Sequence, residues 1–186
     1  MINQLLLLID IQNDYFPGGK MELVNMDSAA VNAALLLSLF RNRKWPVVHV
    51  QHLATKPNAS FFIPGSSGAE IHTSVFPMKK EPIIQKNFPN SFRQTNLLEL
   101  LRARPWNDLV ICGAMSHMCI DTTARAASDL GFKVTLIHDA CATRDLAFNG
   151  QTVEASQVHA AYMAALNGSF AHVISASEYL KEIGQQ

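Results

Sequence analysis

Three residues of this chain have the types and placement that nucleophilic chemistry needs: Asp10, Lys86 and Cys119. Each follows a short apolar run. Asp10 closes the run 4–9, Lys86 closes Pro82-Ile83-Ile84-Gln85, and Cys119 follows the run 108–113 and opens a helix-like, alanine-rich segment. In a parallel sheet the carboxyl ends of all strands share one edge, so residues distant in sequence can meet there. Taken singly, such an aspartate caps a turn, such a lysine is solvated and such a cysteine packs in a core. Together they are the parts of an activated nucleophile. A helix N-terminus and a nearby ammonium both favour the thiolate. Asp10 can take the thiol proton and return it to a leaving group, while Lys86 holds the carboxylate. Backbone N–H groups in the turn 114–119 are placed to serve a developing oxyanion, which makes the chemistry acyl transfer.

The elements that must position these residues alternate between short apolar runs and longer helical patterns, the signature of crossover units on a parallel sheet covered on both faces. Strands are expected at 4–9, 47–53, 82–86, 108–113, 133–138 and 171–174. A first helix is expected to begin with Asp27 as N-cap and to turn Val31, Leu35 and Leu39 to one face. Arg41, Arg43 and Lys44 lie in its last turn and Pro46 follows it. Further helices are expected at 95–104, from Cys119 to the C′ glycine Gly131, at 151–167 and at 176–183. In the helix after Cys119, Ile120, Ala124, Ala127 and Leu130 share a face. The irregular stretch 54–81, with Pro57, Pro64, Gly65, Gly68 and Pro77, is long enough to be a lid or a subunit contact. The expected fold is α/β: a three-layer doubly wound fold with a six-stranded parallel sheet flanked by helices.

Composition narrows the partners. With 186 residues, 48% of them hydrophobic and 16% charged, one domain over residues 1–186 is expected. Fifteen basic and fifteen acidic residues cancel, and neither sign forms a block. A small-molecule substrate is therefore expected, with no nucleic-acid partner and no membrane partner. The apolar run 4–9 has no basic region before it and an aspartate straight after it, so it is a buried strand rather than a signal peptide. Three cysteines without paired spacing suit a reduced, cytoplasmic protein.

Four segments carry a resemblance. They are Ile9-Asp10-Ile11-Gln12-Asn13-Asp14-Tyr15-Phe16 with Pro17-Gly18-Gly19, Lys86-Asn87-Phe88-Pro89-Asn90-Ser91-Phe92 with Thr95, Gly113-Ala114-Met115-Ser116-His117-Met118-Cys119, and Asp139-Ala140-Cys141-Ala142. In that order they resemble the isochorismatase-like cysteine hydrolase superfamily. The resemblance implies a catalytic triad of Asp10, Lys86 and Cys119 and a non-proline cis peptide between Ala114 and Met115. It also implies oxyanion-hole amides from Met115 and Cys119, a six-stranded sheet, and a homo-oligomer, dimer or tetramer. Nicotinamidases of that superfamily hold a divalent metal through an aspartate and a histidine just after the second strand. Here His52 and Ala54 stand at those two positions, so no metal and no other cofactor is expected. His49, His52 and His72 are then hydrogen-bonded structural or pocket residues, or parts of some other site.

The loops beyond the sheet edge suggest Tyr15, Phe16, His52, Phe92 and His117 as pocket walls, with ordinary packing as the other reading of the aromatics. Ser91 is expected to hold its loop, Asp139 to act as a structural cap and Cys112 to be inert core. His159 is expected in packing or an oligomer contact. The isochorismatases themselves hydrolyse a vinyl ether, which needs a general acid and no thiolate, so the cysteine favours a C–N bond in an amide, carbamoyl or ureido group. Vinyl-ether hydrolysis with Asp10 as general acid stays open, as does a catalytically idle protein that binds a metabolite or partner.

Overall fold

The computed structural model describes residues 4–184. Its elements are β1 (Gln4–Ile9), α1 (Met26–Asn42), β2 (Val47–His52), β3 (Ile83–Lys86), α2 (Leu97–Arg102), β4 (Asp108–Ala114), α3 (Asp121–Asp129), β5 (Lys133–Ala142), β6 (Leu146–Phe148), β7 (Gln151–Val153), α4 (Ala155–Leu166), β8 (His172–Ile174) and α5 (Ala176–Gly184). Six strands form one parallel sheet in the order β3-β2-β1-β4-β5-β8. The chain winds outward from β1 in one direction and outward from β4 in the other. Right-handed crossovers therefore put α1 and α3 on opposite faces, giving three layers, and the winding reverses between β1 and β4. Asp10 and the turn that bears Cys119 follow those two strands. Leu5 to Ile9 are covered on both faces, as a central parallel strand requires. Among the described residues, no helix is long and apolar enough to cross a membrane.

Helix α1 differs from the sequence expectation in its start and its inward face. Asn25, at φ 62°, is the N-cap, and Asp27 lies inside the first turn, where its charge still complements the helix dipole. Val31 and Leu35 are exposed, and Met26, Ala29, Ala30, Ala33, Leu36, Leu37 and Phe40 face the core. The alanines decide this, because a stripe of small side chains lets the helix lie close on the sheet. Phe40 then stacks on Tyr179 of α5 at 6.4 Å. Residues 151–153 are a strand rather than the first turn of α4. Asn149 and Gly150, both at positive φ, turn β6 back onto β7 as an antiparallel hairpin. Strand β5 also runs on past residue 138 to Ala142.

The stretch 54–81 is tied down at several points. The buried Asp14 carboxylate accepts from Phe62 N at 2.6 Å and Lys20 N at 3.2 Å, and Gln12 Nε2 donates to Ala69 O at 2.8 Å. At its exit, Glu81 takes paired hydrogen bonds from Arg41 Nε and Nη2, both 2.7 Å. His49 Nε2 lies 3.0 Å from Glu81 and Met78 N donates to it at 2.8 Å.

Two predictions follow from this packing. A side chain at Gly113 would overlap Ile9 O on β1, and the residue sits at φ +127°, so Gly113→Ala is expected to cost about 3 kcal/mol or more in urea unfolding. Burial alone would raise the Glu81 pKa, but the bonds from Arg41, Met78 N and His49 outweigh it and hold the carboxyl at about 2. A carboxyl depressed on folding stabilises the fold above its unfolded value and loses that contribution as pH falls toward the folded one. Urea midpoints of the unsubstituted protein should therefore drop between the ordinary glutamate range and about pH 2, and Glu81→Gln should lack that part of the drop.

Candidate active site

Asp10 is the first residue beyond β1, and its left-handed backbone, φ 52°, turns the chain sharply at the strand end. Aspartate tolerates that region better than most residues. Its N–H donates to Val50 O at 3.0 Å, so the turn is anchored on β2. Lys86 ends β3 in register with His52, the last residue of β2. Cys119 lies in a π-helical turn, Ser116–Ile120, that joins β4 to α3, immediately after the cis peptide between Ala114 and Met115. That turn is pinned to the end of β5. Ser116 Oγ donates to Ala142 O at 3.2 Å and lies 2.9 Å from His159 Nδ1, and His117 Nδ1 lies 2.6 Å from Thr143 Oγ1.

These elements bring Asp10, Lys86 and Cys119 into one enclosed cluster. Lys86 Nζ is 2.7 Å from Asp10 Oδ2 and 3.2 Å from Cys119 Sγ. It also donates to His52 Nδ1 at 3.0 Å and to Phe88 O at 3.1 Å. The three residues are 0%, 1% and 4% exposed. Burial opposes the charge of Lys86, but Asp10 and Cys119 beside it outweigh that and raise its pKa above the ordinary lysine value. Burial and the Asp10 carboxylate push Cys119 well above the ordinary thiol range, against the opposing pull of Lys86. Of the influences expected to favour the thiolate, the Lys86 ammonium does pull the Cys119 pKa down, but burial outweighs it. Desolvation dominates, and α3 itself starts only at Asp121, so the thiol is protonated at rest. Asp10 Oδ1, buried without a hydrogen-bond partner, is an acceptor within the cluster.

His52 belongs to this cluster. Burial and the Lys86 charge lower its pKa, so its ring is neutral, and because an ammonium only donates, Nδ1 accepts and the ring proton sits on Nε2. Asp10, His52 and Cys119 each offer a ligand atom, all within 4.8 Å of one another. The Lys86 ammonium sits against all three, however, so a cation already fills their centre and a divalent metal does not fit. The other two histidines lie elsewhere: His49 on Glu81, and His72 stacked on Phe16 at 3.6 Å.

The expected pocket walls divide. Tyr15 is buried against Phe62 at 4.6 Å and Phe61 at 6.1 Å, and Phe62 also reaches the His52 ring at 5.9 Å. These aromatics roof the cluster. His117 is half-buried at the rim, and Phe16 packs beneath 54–81. Phe92 is a correction: it stacks on Phe132, which leads into the amino end of β5, and so packs away from the sheet edge that bears Cys119. Ser91 holds its loop through Thr123 Oγ1, at 3.1 Å from its N and 2.9 Å from its Oγ. Asp139 Oδ1 accepts from Ala176 N at 2.8 Å and so caps α5. Cys112 is inert, its thiol raised by complete burial.

One contact of the cluster leaves no mark in the sequence. Gln12 clamps His52 by accepting from its N at 2.8 Å and donating to its O at 2.9 Å, a role that only the fold makes visible.

Known proteins resemble this chain in sequence and in fold. A family model described as the Isochorismatase domain matches residues 4–178. An uncharacterized isochorismatase family protein of Bacillus subtilis, YddQ, is 52% identical over 176 residues, covering 95% of this chain and 98% of that protein. The nicotinamidase of Escherichia coli is 27% identical over 173 residues, covering 73% of this chain and 81% of that protein. A solved isochorismatase hydrolase of Oleispira antarctica has a TM-score of 0.93 at 51% identity, covering 96% of both chains.

Removing one partner of the buried ion pair tests its weight in the fold. Lys86→Met is expected to lose about 3–5 kcal/mol in urea unfolding at neutral pH, because it strands a buried carboxylate. Adding Asp10→Asn should recover part of the loss in the double variant.

Proposed function

The chain belongs to the isochorismatase family of hydrolases, and from that membership we propose that it is a cysteine hydrolase cleaving a C–N bond of a small amide, carbamoyl or ureido compound. The observation that carries this reading is Lys86 Nζ held at 2.7 Å from Asp10 and 3.2 Å from Cys119, all three shielded from water. A vinyl-ether substrate needs an acid and no thiol, whereas here a thiol stands beside a carboxylate that lacks a donor on Oδ1. The E. coli relative bears the name nicotinamidase, which agrees with amide chemistry.

The steps follow from the positions. Cys119 gives its proton to Asp10 as its sulfur attacks the carbonyl carbon, so no free thiolate accumulates. Lys86 stays protonated and offsets the negative charge that moves from sulfur to the carbonyl oxygen. Backbone N–H groups of Met115 and Cys119 are the donors for that oxyanion. The C–N bond breaks as the proton on Asp10 passes to the departing nitrogen, leaving a thioester on Cys119 and releasing ammonia or an amine. Water then gives a proton to Asp10 and attacks the thioester carbonyl. The acid leaves as that proton returns to sulfur. Residues 1–186 act in this scheme as one catalytic domain, and three free, buried cysteines suit work in a reducing compartment such as the cytoplasm.

An ammonia-release screen over primary amides, carbamoyl and ureido compounds should find turnover, and Cys119→Ala should lower it by at least about a thousandfold. Failure of the whole screen, together with isochorismate hydrolysis that survives Cys119→Ala, would reverse the reading in favour of Asp10 as a general acid.

A further inference from the structure

A cavity apart from the triad opens at the carboxyl end of β5. It measures about 550 Å³ and lies between the start of α1, the end of β5 and the first turns of α4, and none of Asp10, Lys86 and Cys119 lines it. Two histidines face it, His138 and His159, with one carboxylate, Asp139. No lysine or arginine is among its described lining residues, so a cation entering it meets a carboxylate and no competing positive side chain.

His159 is oriented by its neighbours. Its Nδ1 lies 2.9 Å from Ser116 Oγ, and that hydroxyl lies 3.2 Å from Ala142 O. A carbonyl oxygen only accepts, so the Ser116 proton goes to Ala142 O and Nδ1 of His159 donates to Oγ. Burial and the neighbouring His138 lower the His159 pKa, so the ring is neutral and Nε2 carries the free lone pair. A ring nitrogen bonded to a fixed oxygen is what orients a metal-ligating histidine through its other nitrogen. His138 faces this ring with centroids 6.4 Å apart and planes tilted by 56°, and no hydrogen bond among the described residues holds its imidazole. Two imidazoles that share a tetrahedral zinc through Zn–N bonds of about 2.0–2.1 Å have centroids about 5 Å apart. The pair is thus open by about 1 Å, a gap that rotation of the unrestrained His138 side chain closes. Asp139 spends Oδ1 on Ala176 N and keeps Oδ2 free.

We propose that His138 and His159 form a binding site for a late first-row divalent cation, with Zn²⁺ the best fit, its shell completed by the Asp139 carboxylate and water. Imidazole suits such metals, and two histidines with one carboxylate are an established donor set for zinc. The difference from the triad is electrostatic. There Asp10, His52 and Cys119 converge on the Lys86 ammonium, whereas here no cation stands between the ligands. A bound ion ties the end of β5 to α4 and, through Ser116, to the turn that bears Cys119. The site does not depend on the cysteine-hydrolase reading.

Titration with Zn²⁺ alone tests it, with Cys119→Ala as the background so that the active-site thiol contributes nothing. Stripped of metal by a chelator, the Cys119→Ala protein should take up a single Zn²⁺ ion per chain in competition with a chromophoric chelator. Adding His138→Gln or His159→Gln should weaken binding by at least about a hundredfold, and adding Ser116→Ala, which removes only the oxygen behind His159, by about tenfold. Acylation of histidines by diethyl pyrocarbonate, mapped by mass spectrometry, needs no histidine variant. Zn²⁺ should suppress it at His138 and His159 far more than at His172, which is exposed at the other end of β8. No uptake of Zn²⁺, uptake unchanged in both histidine variants, or acylation of both rings that ignores Zn²⁺ would each overturn the site.

Discussion

A lysine ammonium sealed from water is the constraint around which the site is organised. Lys86 Nζ has three protons and four acceptors within reach: Asp10 Oδ2, His52 Nδ1, Phe88 O and Cys119 Sγ. Such a charge is tolerated only where its partners are fixed, and the surrounding structure fixes each of them. His52 sits beside Lys86 in register, and Gln12 holds the His52 backbone through both of its polar groups. The same glutamine reaches Ala69, so the covering segment, the histidine and the lysine share one anchor. The ammonium also settles what the cluster can hold, since it occupies the place where a metal would join Asp10, His52 and Cys119.

The sheet topology explains why the carboxylate and the thiol meet. β1 and β4 are hydrogen-bonded neighbours at the point where the winding reverses, and the residues that follow them leave the sheet toward opposite faces. A crevice opens between those departures. Gly113 pairs with Ile9, whose carbonyl leaves no room for a side chain there, and Asp10 turns at a backbone angle few side chains accept. Aromatic residues from the loops after β1 and β2, Tyr15 with Phe61 and Phe62, then cover the crevice, and that cover makes desolvation the largest influence on the thiol.

Elements governed by local pattern were legible in the sequence, and elements governed by contact were less so. The apolar runs that became β1, β2 and β4 and the glycine after α3 announced themselves, because strand burial and C′ geometry leave periodic or positional marks. The inward face of α1 did not, since Val31 and Leu35 are the more hydrophobic side chains but alanines fit the close approach to the sheet. The hairpin β6–β7 was legible in principle from Asn149-Gly150, yet its apolar content also fits a helix start. The continuation of β5 to Ala142 and the stacking of Phe92 on Phe132 were not legible, because both are set by residues distant in the chain.

The sequence by itself determined the fold class and the meeting of Asp10, Lys86 and Cys119, because strand ends are marked locally and a parallel sheet gathers them on one edge. Tertiary structure alone decided how those residues behave. Whether a thiol is protonated and whether a histidine accepts from an ammonium both depend on desolvation and on distances between residues far apart in the chain. Spacing carries none of that, since Coulomb and solvation energies are set by where groups lie in space.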